Sequence, residues 1–200
     1  MSFPPLRRDQ RHVFELIPQG SRVLDLGCGD GALLAALCDQ RGVLGYGVEI
    51  DAGCIRTCIA RGLAVMQEDI DHGLASHPDT AYDYVILSQT LQATHNPRLL
   101  LQEMARVAKA SVVSFPNFGH WRIRLDLLAR GRMPKADFLP FEWYDTPNIH
   151  LCTVADFEDL VRATGLTVAR RLLLDGRGDP LATPWRANLR AASAVYLLRH

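Results

Sequence analysis

The chain has 200 residues, of which 48% are hydrophobic, with 22 basic and 22 acidic side chains. That length favours one α/β domain with a single sizeable core. A formal net charge of zero argues against a protein whose main task is to bind nucleic acid, because that task needs net positive potential.

The sequence also argues against a membrane or metal protein. No apolar run approaches the roughly 20 residues that span a bilayer, and the first residues lack the apolar core of a secretory signal. The five cysteines form no CxxC pair, which indicates reduced thiols. Cys54 and Cys58 share a helix face without further ligands at zinc spacing, so we expect no metal. These features predict a cytoplasmic protein.

Short apolar segments and helical segments alternate through the first 115 residues. Because the strands are nearly continuous apolar runs separated by helices, the pattern favours a parallel sheet covered on both faces. Asp51 is a predicted helix N-cap, and Pro97 stands at a favoured first helical position. The predicted helices are 7–16, 32–40, 52–61 and 97–108, and the predicted strands are 22–26, 44–50, 63–67, 82–88 and 111–115.

The regular alternation of strands and helices ends after residue 116. A further helix is predicted for 119–129, but 133–152 is rich in proline and aromatic residues and has no clear period. Thr153 is placed to cap a helix that ends at 164, and two last strands follow at 166–174 and 193–198. We therefore expect one domain over 1–200, with a lid or partner segment at about 119–150.

A glycine-rich loop follows the first strand and opens the next helix. Gly27, Gly29 and Gly31 let backbone N–H groups approach a ligand at a helix N-terminus. The same glycines with Ala32 also fit the dinucleotide pattern G-x-G-x-x-G/A. Glu49, at the end of the next strand, suits a ribose diol in either type of cofactor. The loop could also be only a tight turn, and Glu49 only a solvated strand end.

Asp25 favours one of the two cofactors. A carboxylate two residues before the first glycine is unfavourable beside a pyrophosphate, but it can face the ammonium of S-adenosylmethionine while the loop N–H groups take the carboxylate. Asp69 is placed to accept from the adenine amino group, and the Ile70 N–H to serve a ring nitrogen. Asp69 could instead cap a turn, and Glu68 is an alternative candidate for the contact with adenine. The predicted cofactor site is Asp25, Gly27, Cys28, Gly29, Gly31, Glu49, Ile50, Asp69, Ile70 and Ser88.

The segment Val23 to Gly31 resembles the first motif of class I S-adenosylmethionine-dependent methyltransferases. Nearly the whole chain resembles the MetW methionine-biosynthesis family, through Ser88-Gln89-Thr90-Leu91-Gln92, Phe115-Pro116-Asn117-Phe118-Gly119-His120-Trp121, Gly131-Arg132-Met133-Pro134 and Trp143-Tyr144-Asp145-Thr146-Pro147-Asn148-Ile149-His150. The resemblance implies a Rossmann-like, mostly parallel sheet of seven strands with an antiparallel last strand. It also implies a role in amino-acid biosynthesis beside a homoserine O-acyltransferase.

The sequence leaves open whether the protein is an enzyme. Methyl transfer from a sulfonium depends mostly on the alignment of the acceptor atom with the methyl group, and a general base is optional. Residues after the fourth and fifth strands face the place where a small-molecule acceptor would bind. One hypothesis is a free-standing methyltransferase, and the other is an activator or sensor of the acyltransferase. The candidates for a catalytic role are Gln89, Asn117, His120 and His150, with structural hydrogen bonds as the alternative for both histidines.

A basic cluster lies in the predicted lid or partner segment. Three interpretations of it remain open, namely a solvated helix face, a docking surface for a protein partner, or an anion or nucleic-acid site. The balanced net charge argues against nucleic acid. The members of the cluster are Arg122, Arg124, Arg130, Arg132 and Lys135, interspersed with Leu125, Leu127 and Leu128.

Overall fold

The computed structural model describes residues 5–183 and 185–199. Within these residues, seven strands and seven α-helices follow one another. The strands are β1 (Arg22–Leu26), β2 (Leu44–Glu49), β3 (Ala64–Gln67), β4 (Tyr82–Ser88), β5 (Ala108–Pro116), β6 (Thr167–Leu174) and β7 (Ser193–Arg199). The helices are α1 (Arg8–Leu16), α2 (Ala32–Arg41), α3 (Ala52–Ala60), α4 (Pro97–Val107), α5 (Trp121–Arg130), α6 (Val154–Ala163) and α7 (Ala187–Arg190).

All seven strands form one sheet in the order β3-β2-β1-β4-β5-β7-β6. Neighbouring strands from β3 to β5 are parallel, whereas β7 runs antiparallel to both β5 and β6. This arrangement confirms the predicted sheet of seven strands with an antiparallel last strand. The order reverses at β1, whose neighbours are β2 and β4, so the loops after these strands meet at one edge.

The core lies on both faces of the sheet, as the apolar strands predicted. On one face, α4 and α6 pack through residues such as Met104 and Phe157. On the other face, α1 and α2 pack through residues such as Val13 and Leu33. Alternate residues of β1 serve the two faces, since Val23 joins the second cluster and Leu24 the first. The sheet is thus a rigid platform for the loops at its edge.

The predicted helix caps are observed. The side chain of Asp51 accepts from the Cys54 N–H at 2.7 Å, and that of Thr153 accepts from the Asp156 N–H at 3.3 Å. The predicted helix 119–129 begins two residues later, because His120 has extended backbone and acts as the N-cap of α5. The predicted helix 97–108 ends one residue earlier, and β5 starts at once at Ala108.

The segment between α5 and α6 is irregular, as its lack of period predicted. The short helix α7 and two 3-10 turns, Ile70–His72 and Leu91–Ala93, were not predicted. Such single turns are too short to show a helical period in the sequence. Within the described part of the chain, no helix has the length and apolar character needed to cross a membrane.

Candidate functional site

A cavity of about 1000 Å³ lies where the carboxyl ends of β1 to β5 meet. Loops from all these strands line it, together with the start of α1 and parts of the segment 137–148. Of the predicted site residues, the cavity wall contains Gly27, Glu49, Ile50, Asp69, Ile70 and Gln89. The other predicted residues do not line this wall: Asp25, Cys28, Gly29, Gly31, Ser88, Asn117, His120 and His150.

Asp25 lies on β1, two residues before Gly27, which lines the cavity. It is only 2% exposed, and its carboxylate accepts no hydrogen bond from any residue in 5–183 or 185–199. Burial raises its pKa from the ordinary 3.8 to about 7, while the Arg7 guanidinium lowers the pKa and the Glu49 carboxylate raises it. Burial of a carboxylate is costly, and the Arg7 guanidinium offsets only part of that cost, since the pKa of Asp25 remains raised.

Four N–H groups of the glycine-rich loop donate hydrogen bonds within the protein. The N–H groups of Gly27 and Cys28 both donate to the Val48 carbonyl, at 2.8 and 3.1 Å. The Gly31 N–H donates to the Cys28 carbonyl at 3.0 Å, and the Gly29 N–H to the Glu49 carboxylate at 2.8 Å. Each of these four donors therefore has an acceptor within the protein. The expected contact of loop N–H groups with a ligand carboxylate stays a prediction.

Glu49 fixes the junction between β2 and the loop. One carboxylate oxygen accepts from the Gly29 N–H, and the other accepts from the Ile50 and Asp51 N–H groups at 2.8 and 3.0 Å. The side chain therefore lines the cavity in a defined position. A carboxylate held in this way is suited to accept from a pair of adjacent hydroxyls.

Asp69 and Glu68 were alternative candidates for the contact with adenine. Their hydrogen bonds show which of the two has a free carboxylate oxygen. Glu68 accepts from the Ser76 hydroxyl at 2.7 Å and contacts the buried His77 ring at 3.1 Å, so both of its oxygens are engaged. Asp69 caps the 3-10 turn by accepting from the Asp71 N–H at 3.0 Å. Its second oxygen lies 3.6 Å from His72 Nδ1, on an exposed ring. Asp69 thus performs the capping role and also remains available at the cavity wall.

Ser88 belongs to a buried polar cluster. The Asp9 carboxylate accepts from the hydroxyls of Ser88 at 3.2 Å and Ser114 at 2.8 Å. Arg7 Nη2 donates to the Ser88 hydroxyl at 3.0 Å, and Arg7 lines the cavity. Sequence reasoning missed Arg7 and Asp9, since a charged pair at the start of an exposed first helix is typical of a solvated surface.

Asn117 and His120 occupy structural positions. The Asn117 amide donates to the carbonyls of Asn188 and Ala191 and accepts from the N–H groups of Gly119 and Val154. These four bonds fill its capacity. His120 Nδ1 accepts from the Arg122 N–H at 3.3 Å as the cap of α5. Burial, with Arg122 nearby, lowers the His120 pKa, and the ring lines a second cavity beside the first.

Gln89 and Gln92 line the main cavity. Gln89 has a φ of 58°, a left-handed conformation that is rare for a non-glycine residue and often marks a functional position. Gln92 donates to the Gln89 carbonyl at 2.7 Å, while its Oε1 is buried without a partner in the described structure. His150 is exposed, with Nε2 3.5 Å from the His95 carbonyl. The two glutamines are thus better placed than the histidines to contact a ligand.

The cysteines near the loop pack against each other. Cys28 Sγ lies 3.9 Å from Cys58 Sγ, and burial raises the pKa of both thiols. Cys28 therefore supports the loop from behind as a small buried side chain. Among the residues that the structure describes, no group of three or more metal-ligating side chains occurs.

The segment 119–150 has two faces. Phe138, Phe141 and Pro147 line the main cavity. Several apolar side chains point to solvent, with Leu128 83% exposed and Tyr144 72% exposed. Trp121, Leu125 and Leu128 form one stripe along α5, at helical spacing. The basic residues of this segment have different partners. Arg130 forms an ion pair with Asp126, and Lys135 forms one with Glu142. Arg124 donates a hydrogen bond to the Gly119 carbonyl.

A family model described as methionine biosynthesis protein MetW matches residues 7–198. The chain belongs to that family. It is 38% identical, over 200 residues, to a bifunctional methionine biosynthesis protein MetXA/MetW of Rhodopirellula baltica, with 95% of this chain covered. It is 30% identical over 107 residues, or 51% of this chain, to a demethylmenaquinone methyltransferase of Bacillus licheniformis. The chain's matches span only 32% and 46% of these two relatives.

Solved structures carry the same fold as this MetW-family chain. A S-adenosylmethionine-dependent methyltransferase from Archaeoglobus fulgidus superposes with a TM-score of 0.70 at 16% identity, covering 96% of this chain and 92% of that one. The methyltransferase from Mesorhizobium loti gives 0.68 at 16% identity, with 97% and 98% covered. The predicted class I methyltransferase fold is confirmed.

Proposed function

We propose that this MetW-family protein binds S-adenosylmethionine and its demethylated product in the main cavity, and that it acts with a homoserine O-acyltransferase as an activator or sensor. Asp25 is the observation that carries the first part. A ligand ammonium would stabilise the ionised form of its carboxylate, which burial disfavours. Glu49 would accept from the ribose hydroxyls, and Asp69, with the Ile70 N–H, would hold adenine.

The hydrogen bonds of the loop support S-adenosylmethionine over a nicotinamide dinucleotide. A dinucleotide places its pyrophosphate on free loop N–H groups at a helix N-terminus. Here the N–H groups of Gly27, Cys28, Gly29 and Gly31 are already bonded. The Asp25 carboxylate, two residues before Gly27, would also repel phosphate.

Isothermal titration with three ligands tests which cofactor the protein binds. We expect saturable binding of S-adenosylmethionine and S-adenosylhomocysteine, in competition for one site, and none of NAD. Glu49→Ala should weaken S-adenosylhomocysteine by about 1–3 kcal/mol, because charge-assisted bonds to the diol are lost. Binding of NAD alone would overturn the proposal.

The partner proposal has separate support. The Rhodopirellula baltica relative is a bifunctional MetXA/MetW protein, and this chain spans about a third of it. The exposed apolar and basic side chains of the segment 119–150 have the composition of a contact surface. We therefore propose this segment as the partner surface, with its other face serving as a lid on the cavity. Hydrogen exchange should show it less protected than the strands, with protection rising when ligand or acyltransferase is added.

A second candidate function is a free-standing methyltransferase that acts on an unidentified small molecule. The strained Gln89 and the unpaired Gln92 Oε1 at the cavity wall favour it. An assay of acyl transfer to homoserine, with and without this protein and the cofactor, separates the candidates. Under sensing, Asp25→Ala removes only the response to S-adenosylmethionine. If the acyltransferase is equally active alone and never co-purifies, the methyltransferase becomes the better proposal.

A further inference from the structure

A second cavity, of about 1040 Å³, adjoins the main one. It lies between α5, the residues 134–138 and the connection from β6 to α7. Asp137, Phe138, Asp175 and Gly176 line both cavities, so they form the partition between them. None of the residues predicted for the cofactor lines the second cavity. A molecule bound there would therefore be a separate ligand beside the cofactor site.

Basic side chains from distant parts of the chain converge on the second cavity. Arg122 and Arg130 come from α5 and Lys135 from the segment after it, whereas Arg177 follows β6 and Arg190 ends α7. A solvated face of α5 would not bring in residues 177 and 190. An anion site accounts for all five, because cations from separate elements meet in one concave surface.

Three of these five cations have no carboxylate partner. The other two, on α5 and the segment after it, form the ion pairs described above. No acid in 5–183 or 185–199 forms an ion pair with Arg122, Arg177 or Arg190. The Arg122 guanidinium lies over the Trp121 ring, 5.4 Å from its centroid, and Arg190 Nη1 lies 3.5 Å from the Thr183 hydroxyl. These three guanidiniums retain donors for contacts with an anion.

The acidic side chains on the wall leave the positive charge in excess. Asp126 is already in an ion pair. Asp175 Oδ1 accepts from the N–H groups of Arg177 and Asp179 at 2.8 and 3.0 Å, and these bonds order the turn that carries Arg177. Asp137 is the third acid on the wall. Basic residues thus outnumber acidic ones five to three, and the wall favours anions.

A buried imidazole and an apolar face complete the wall. His120 is 6% exposed, and its Nδ1 accepts from the Arg122 N–H. A neutral ring then carries its proton on Nε2, which has no acceptor among the residues that the structure describes. Trp121, Phe138 and Leu181 supply apolar surface. The cavity therefore offers cationic groups, a neutral donor and an apolar wall to one ligand.

We propose that the second cavity binds a small organic dianion, either a phosphate monoester or a dicarboxylate, that carries an aromatic or apolar body. Arg122, Arg177 and Arg190 bind its charged groups. His120 Nε2 donates to it, and its body packs against Trp121 and Phe138. Of the interpretations of the basic cluster, this one selects the anion site. It does not depend on which cofactor occupies the main cavity.

Titration with three small aromatic probes tests the site, in the absence of any adenosyl compound. The probes are phenyl phosphate, phthalate and the neutral benzyl alcohol. Trp121 reports occupancy once the other two tryptophans, Trp143 and Trp185, are replaced by phenylalanine. We expect a saturable change in its fluorescence with at least one dianion and none with the alcohol, and an affinity that falls as salt is added. The tighter dianion identifies phosphate or carboxylate as the group recognised.

Isothermal titration of single variants assigns the binding residues. Arg177→Met and Arg190→Met should each weaken the dianion by about 5- to 10-fold, because a charge-assisted hydrogen bond is lost. Arg132→Met is the matched control, because Arg132 is an exposed arginine of the basic cluster that does not line the cavity. It should bind the dianion like wild type. All three variants should unfold at the wild-type temperature.

Three results would overturn the inference. One is the lack of a saturable response to either dianion in both titrations. Another is wild-type affinity in both Arg177→Met and Arg190→Met, since the anion would then bind elsewhere. The third is that neither dianion binds while Arg177→Met weakens association with the acyltransferase, which would make the wall a protein docking surface. A failure of the proposed cofactor binding would change none of these measurements, since no adenosyl compound is present.

Discussion

At the scale of single residues, Asp25 combines a cost to folding with a role in binding. Its pKa is about 7 in the folded ligand-free protein and 3.8 ordinarily. A raised carboxyl pKa means that folding favours the protonated form, so this group lowers stability as the pH rises from about 4 to 7. The same group would become favourable once a ligand ammonium neutralises it.

The first prediction follows from this shift. Asp25→Asn keeps the shape and removes the charge, so we expect a higher Tm than wild type at pH 8 and an equal Tm at pH 4. Thermal unfolding of the ligand-free proteins, followed by circular dichroism, measures both. Affinity for S-adenosylhomocysteine should fall at pH 8 despite the higher Tm. A lower Tm at pH 8 would show that the carboxylate stabilises the free protein.

A second prediction concerns pH and binding. Because the ligand ammonium favours ionised Asp25, affinity for S-adenosylhomocysteine should rise between about pH 6 and pH 8 and level off above the Asp25 pKa. Binding at pH 6 should release protons, which titration in buffers of different ionisation enthalpy detects. Asp25→Asn should show neither effect over this range. A flat wild-type profile would contradict the assignment.

At the scale of elements, the two ends of α2 resemble each other in backbone but not in packing. Gly31 at its start has a φ of 76°, and Gly42 at its end has a φ of 59°. A Cβ on Gly31 would lie 2.5 Å from Leu63 Cδ1 and 2.8 Å from Cys58 Sγ, whereas a Cβ on Gly42 has nothing within 4 Å. The start of α2 is therefore packed tightly against Cys58 of α3 and against Leu63, which precedes β3.

The third prediction compares alanine substitutions at Gly31 and Gly42. Gly42→Ala should cost about 1–2 kcal/mol of unfolding free energy, the strain of a left-handed alanine. Gly31→Ala carries the same strain and adds overpacking, which costs about 1–3 kcal/mol more. Urea denaturation of both variants gives the difference. Equal losses would mean that Leu63 and Cys58 shift without cost.

The elements also show how far sequence reasoning reached. The bounds of β1 and β4 were predicted to the residue, because apolar runs between turn residues leave little freedom. The positions of Glu49 and Asp69 at the cavity wall followed from parallel strands whose ends share one edge. Arg7 could not be predicted, since it reaches the cavity through the packing of α1 across the sheet. The bonds that occupy the loop N–H groups depend likewise on how closely β2 approaches the loop.

At the scale of the whole molecule, the apolar stripe on α5 gives the fourth prediction. If it docks the acyltransferase, Leu128→Glu should weaken association at least tenfold, because a charge would be buried at a hydrophobic contact. Ile59→Glu is the matched control, since Ile59 is also on a helix and 62% exposed. Both variants should unfold at the wild-type temperature. Surface plasmon resonance measures association, and equal effects of the two variants would exclude the stripe as the docking site.

The position of β7 determines the order in which the molecule can be assembled. This strand is the last of the seven along the chain, yet it lies between β5 and β6. During synthesis β6 leaves the ribosome before its neighbour exists, while one edge of β5 stays open. Both edges can pair with other chains until β7 inserts. The sheet is thus completed only when β7 pairs with both strands, and the edges of β5 and β6 stay open to other chains until then.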